Sequence, residues 1–127
     1  MKSRHGTALA MAALLALVAA QAQADPRSKW RIEFDHSSDN AGEIVLRITP
    51  ENGQPIDVTT QIPDATRENV AADLVRDSLK ATLGKGYKIQ TDDGEAVLIR
   101  KSGKTPKFEL TLASSTVTGL SVKIERD

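Results

Sequence analysis

The sequence predicts an α+β domain: an antiparallel sheet or small sandwich of about seven strands, with one amphipathic helix between strands 3 and 4, in the order βββαββββ. Three observations predict it. Short runs alternate apolar and polar residues with period 2. A single run, Thr66 to Leu83, has helical period. The links between runs are short and turn-rich, which favours antiparallel neighbours over the helical crossovers a parallel sheet needs.

Residues 1–24 read as a secretory signal peptide. Lys2, Arg4 and His5 give a basic start, Ala8 to Ala20 an apolar run, and Ala22-Gln23-Ala24 the small-residue pattern that precedes cleavage before Asp25. The run is shorter than the roughly 20 apolar residues of a bilayer span, and no second apolar run follows. The expected product is one domain, residues 25–127, periplasmic or secreted and without membrane insertion after cleavage. Loss of Lys2 and Arg4 lowers the 17 Lys and Arg to 15, against 17 Asp and Glu. That near-balance, with no run of cations interleaved with aromatics, argues against nucleic acid and anionic membranes as partners. The chain has no cysteine, so thiol catalysis, thiolate metal sites and disulfide staples are excluded.

The first strand is expected at Lys29 to Phe34, where Trp30, Ile32 and Phe34 share a phase and Trp30 is a core residue rather than a ligand platform. Asp35 to Gly42 (DHSSDNAG) is a turn, and Glu43 to Thr49 resumes alternation through Ile44, Leu46 and Ile48. These two strands are expected to form a hairpin. Pro50 to Pro55 turns through Asn52-Gly53, where positive φ comes at little cost, into a third strand at Ile56 to Ile62, closed by Pro63.

In the helix, Leu74, Ala81, Ala71, Val75, Leu79 and Leu83 form the apolar face, and Asp73, Arg76, Asp77 and Lys80 the solvated one. Thr66 or Asp64 is the expected N-cap and Gly84 the exit. Tyr87 to Thr91 and Ala96 to Arg100 then pair through Asp93-Gly94, the strongest hairpin signal in the chain. Phe108 to Leu112 and Leu120 to Glu125 complete the set. Val45, Ala96 and Leu98 interrupt the polar outward phase of their strands, either because two sheets pack and bury them or because they form a docking patch for a partner.

Candidate chemistry is sparse. His36, beside Asp35, Ser37 and Ser38, lacks the convergence of distant side chains that a hydrolase triad needs. Asp35, Ser37, Asp39, Asn40 and Glu43 begin like a calcium loop, but the sixth position is Asn40 and the twelfth Leu46, so the defined motif is absent. A weak calcium site and an ordinary Asx-rich turn both stay open. Asp92, Asp93 and Glu95 flank a hairpin glycine, and Gly84-Lys85-Gly86 follows a helix C-terminus, the wrong pole for phosphate. No catalytic residue, cofactor or metal ligand is assigned.

The succession Ala41-Gly42-Glu43-Ile44-Val45-Leu46-Arg47-Ile48, Asp64-Ala65-Thr66, Val70-Ala71-Ala72-Asp73-Leu74, Gly86-Tyr87-Lys88-Ile89, Asp93-Gly94, Val97-Leu98-Ile99 and Phe108 to Leu120 resembles a module of phage-tail and bacterial surface proteins. Leu74 to Arg100 is similar to the short N-terminal domains of secretins and outer-membrane transporters. Both resemblances imply a non-enzymatic role in assembly or docking, with an envelope or secreted protein as partner. The alternative is a periplasmic hydrolase inhibitor or immunity protein that offers the loop bearing Asp35, His36 and Asp39.

Overall fold

Alternation in the sequence becomes alternation in burial most plainly along the first three strands. The computed structural model describes residues 25–127, and the expected export signal lies outside them. In order the elements are β1 (Lys29–Asp35), β2 (Gly42–Pro50), β3 (Ile56–Ile62), α1 (Glu68–Leu83), β4 (Tyr87–Asp92), β5 (Ala96–Lys101), β6 (Phe108–Ser115) and β7 (Ser121–Arg126). They form two antiparallel sheets, one ordered β4-β5-β1-β7 and the other β3-β2-β6. The α+β class, the strand count and the position of the helix are as the sequence predicts.

The inward phases of both sheets meet in one apolar core. Trp30 lies opposite Ile99 and Ile32 opposite Val97, while Leu46 lies opposite Val58 and Ile48 opposite Leu110; Leu112, in phase with Leu110 in the sequence, is exposed beside the register shift at Val45/Leu46. Trp30 is buried and its indole Nε1 donates to the Phe108 carbonyl at 2.8 Å, joining the four-stranded sheet to β6 of the other. Tyr87 packs edge-on against Phe108 with ring centroids 5.1 Å apart, and burial raises its pKa. Thr60 is the exception on the inner phase: its hydroxyl is buried with no partner, a cost of about 1–3 kcal/mol.

Helix α1 contacts β3, β4, β1 and β5, so it touches both sheets and abuts the outer strand of each on its own side. Its buried residues are Ala71, Ala72, Val75 and Leu79. The expected apolar face is therefore too broad. Ala81 is exposed, since it lies more than about 120° around the helix from the centre of the buried arc. Ala72 takes the place inside.

Three further expectations are corrected. The strands β1 and β2 do not form a hairpin: β1 pairs with β5 and β7, and β2 with β3 and β6. The short loop between them crosses from one sheet to the other instead of reversing within one. Neither Thr66 nor Asp64 caps α1, whose N-cap position is Arg67 with no side-chain cap bond. The Thr66 hydroxyl instead donates to the Pro63 carbonyl at 2.6 Å. At the turn after β2, Asn52 takes φ 59 while Gly53 does not take positive φ. The exit of the helix is as expected, with the Gly84 N–H donating to the Lys80 carbonyl. The Asp93-Gly94 hairpin also forms, with φ of 53 and 76 at those residues and Asp92 opposite Ala96.

Candidate functional site

The loop from His36 to Ala41 is held at both of its neighbours. Ser38 is buried and its hydroxyl donates to the Pro63 carbonyl and accepts from the Thr66 N–H, each at 2.7 Å. Its backbone pairs with Thr66 and Ala65. On the other side the Asn40 amide donates to the Thr116 carbonyl at 2.9 Å, and its oxygen accepts from the Thr118 N–H at 2.8 Å. Gly119 has φ +86, and a Cβ there would sit 2.5 Å from Asp39 Oδ2. Only glycine fits both the backbone and the contact. Buried polar groups satisfied in this way fix a loop's shape.

The side chains the sequence singles out in that loop do not converge on a site. His36 is a turn residue with φ 67, exposed, with Nε2 3.7 Å from the Asp35 carboxylate. The Asp35 carboxylate also accepts from the His36 N–H at 2.9 Å. Asn40 is spent on the Thr116 and Thr118 backbone, and among the described residues no group of three or more His, Asp or Glu comes together as metal ligands would.

Val45, Ala96 and Leu98 do not form one patch. Val45 is on the outer face of the three-stranded sheet, opposite Thr59 and Ser114. Around it Arg47 is bidentate to Asp57, at 2.8 and 3.0 Å, and Gln61 donates to Glu43. The hydrogen bond raises the Arg47 pKa and lowers that of Asp57. Ala96 and Leu98 belong to the other sheet, and Ala96 is fully buried at 0 % exposure, so it is removed from any docking surface.

The burial of Ala96 has a specific cause. On the outer face Ala96 lies between Asp92 on β4 and Glu33 on β1, and Arg31 lies one rung along, opposite Leu98. The Arg31 guanidinium donates to Asp92, two strands away, and also approaches Glu33 at 3.5 Å and Asp93 at 3.8 Å. To reach Asp92 it must cross β5 where a small side chain leaves room, and Ala96 supplies that room. The Asp92 hydrogen bond is the main reason the Arg31 pKa is raised.

At the far end of the same face is a shallow, open depression of about 40 Å³, lined by Lys29, Lys88, Gln90, Leu98 and Arg100. Leu98 is half-buried in it. The strand register puts Lys88 directly opposite Arg100, and Arg100 directly opposite Lys29, so three cations stand in one row across β4, β5 and β1. Lys29 binds Asp127 at 2.9 Å. Neither Lys88 nor Arg100 has an ion-pair partner among the described residues.

No protein-family model, curated protein or solved structure matches the chain. The site is therefore read from its geometry. Sequence reasoning missed Lys29, Lys88, Gln90 and Arg100 because they are scattered singly along the chain. The Asp93-Gly94 signal joins β4 to β5, but a two-residue turn would set Lys88 opposite Ile99; the loop also takes in Glu95, and that extra residue sets Lys88 against Arg100. Nothing local announces that Lys29, 71 positions before Arg100, completes the row.

Proposed function

We propose that this chain is an exported, non-enzymatic protein-protein interaction or assembly module of the bacterial cell envelope, and that it docks through the outer face of the four-stranded sheet around Leu98. The observation that carries this reading is the open depression on that face, lined by one apolar side chain, Leu98, and four polar or charged ones. With a volume of only about 40 Å³ and open to solvent, it is far smaller than the roughly 300–1,000 Å³ clefts that enclose small substrates, but suits a side chain of a partner. The resemblance to phage-tail and surface modules points the same way.

A photo-crosslinking side chain placed at position 98 and, separately, at Thr59 on the outer face of the other sheet tests the reading in envelope preparations. A discrete crosslinked product from position 98, absent from 59 and competed away by unlabelled protein but not by its Leu98→Lys variant, is the expected result. Equal labelling from both faces, or competition unaffected by Leu98→Lys in a folded protein, would end it.

The alternative, a periplasmic hydrolase inhibitor or immunity protein, draws support from the loop that presents Asp35, His36 and Asp39 on an anchored base, since a pre-shaped loop loses little entropy on binding. Crosslinking from position 36 rather than 98 would favour it.

A further inference from the structure

Like charges directly opposite one another on adjacent strands, with Cβ atoms about 4.5–5.5 Å apart, destabilise a sheet. The Lys88, Arg100, Lys29 row carries two such juxtapositions in succession, and the one carboxylate recorded against it, Asp127, lies beyond Lys29 at the end away from Lys88. The row is also continued at its margin. The turn Gly84–Gly86 and the turn after β5 meet through the Ser102 N–H, which donates to the Gly86 carbonyl at 2.9 Å. This brings exposed Lys85 and Lys104 to the same end of the sheet. Five cations drawn from three stretches of the chain thus gather at one end of the sheet, while the described chain as a whole is close to electroneutral.

Three features narrow what this end can take. The depression is open, so it does not surround a small anion and strip its water. Leu98 lies beside the row, within the same depression, and calls for an apolar side chain alongside the charge. The four aromatic side chains are in or against the core, with Trp30, Phe34 and Phe108 buried and Tyr87 packed on Phe108, so no ring is presented for base stacking.

We propose that the depression lined by Lys29, Lys88, Gln90, Leu98 and Arg100 receives an acidic segment of a partner protein, in which carboxylates alternate with an apolar residue. This rests on the docking reading above and adds the chemistry of the partner. The carboxylates offset the repulsion along the row, the apolar side chain covers Leu98, and Lys85 and Lys104 steer the approach.

The test uses the full chain, produced with residues 1–24 in place and purified as the cell processes it, with amide chemical shifts recorded during titration. The probes are the blocked peptide acetyl-Glu-Leu-Glu-Leu-Glu-amide, its Gln-for-Glu analogue, inorganic phosphate and a thymidine oligonucleotide. The acidic peptide is expected to move the amides of Lys88, Gln90, Leu98 and Arg100 saturably, with affinity falling about tenfold between low salt and roughly 0.5 M. Lys88→Gln and Arg100→Gln should each weaken it by up to about fivefold, the range of one exposed ion pair, while leaving the fold and the Leu98 environment intact. A Gln analogue that binds as well as the acidic peptide overturns the acidic partner and leaves the docking face standing. Phosphate or the oligonucleotide producing the same shifts at equal charge overturns it in favour of a general anion site. Absence of any response to either peptide overturns charge recognition, and the crosslink from position 98 then decides the docking face by itself.

Discussion

At one end of the outer face of the four-stranded sheet Arg31 sits among Asp92, Glu33 and Asp93; at the other, Lys88, Arg100 and Lys29 confront one another with a single carboxylate, Asp127, at the margin. Both ends are built from ordinary surface residues on the same strands. What separates them is register. In the first, one long cation reaches across two strands to carboxylates that would otherwise repel, and the ensemble is closed. In the second, like charges are matched in register and the ensemble stays open to something outside the chain. Composition is blind to this difference, since it counts charges without saying which ones face each other.

The contrast can be broken most severely at Ala96. Ala96→Leu would fill the space that the Arg31 side chain crosses, and overpacking of this kind costs about 1–3 kcal/mol. A lower midpoint in urea denaturation, together with loss of the Arg31 to Asp92 contact in a crystal structure, is the expected outcome. Arg31→Gln should cost less, about 1 kcal/mol, since the guanidinium is only partly shielded from water. That cost should shrink as salt is raised, because salt screens both the lost attraction and the repulsion between Asp92 and Glu33.

Thr60→Val serves as a reference point away from both ends. Replacing an unpartnered buried hydroxyl with a methyl of similar volume is expected to raise stability by about 1 kcal/mol, and this gain should not depend on salt. The smallest effect belongs to the open end. Lys88→Glu should raise the denaturation midpoint slightly at low ionic strength by giving Arg100 a partner across the strand, and the gain should vanish at high salt. A loss of stability at low salt would mean that the row is already neutralised from within, and the two ends would no longer differ.

Much of the architecture is legible from local pattern because each rule that applies is itself local. The inward phase of β1 is written in Trp30, Ile32 and Phe34, and the β4-β5 hairpin in Asp93-Gly94. Gly84 marks the helix exit. The misreadings share a cause of a different kind. Whether His36 to Ala41 reverses the chain or carries it to a second sheet depends on Ser38 finding Pro63 and Thr66, 25 and 28 positions away. Thr66 is lost as a cap for the same reason. Ala96 looks like an outward apolar residue until Arg31, 65 positions earlier, is seen to bond Asp92 across the strand that carries Ala96. The candidate site was legible only at Leu98, because alternation identifies a residue out of phase but cannot identify its neighbours on other strands.

Strand β1 has the earliest position in the chain and two of the latest partners, β5 and β7, flanking it on either side. A chain synthesised from its N-terminus therefore carries Trp30, Ile32 and Phe34 without their cross-strand partners until β5 and then β7 have emerged, and contacts this distant in sequence form slowly. Closure of the four-stranded sheet waits on β7, so an early strand stays the most dependent on late ones.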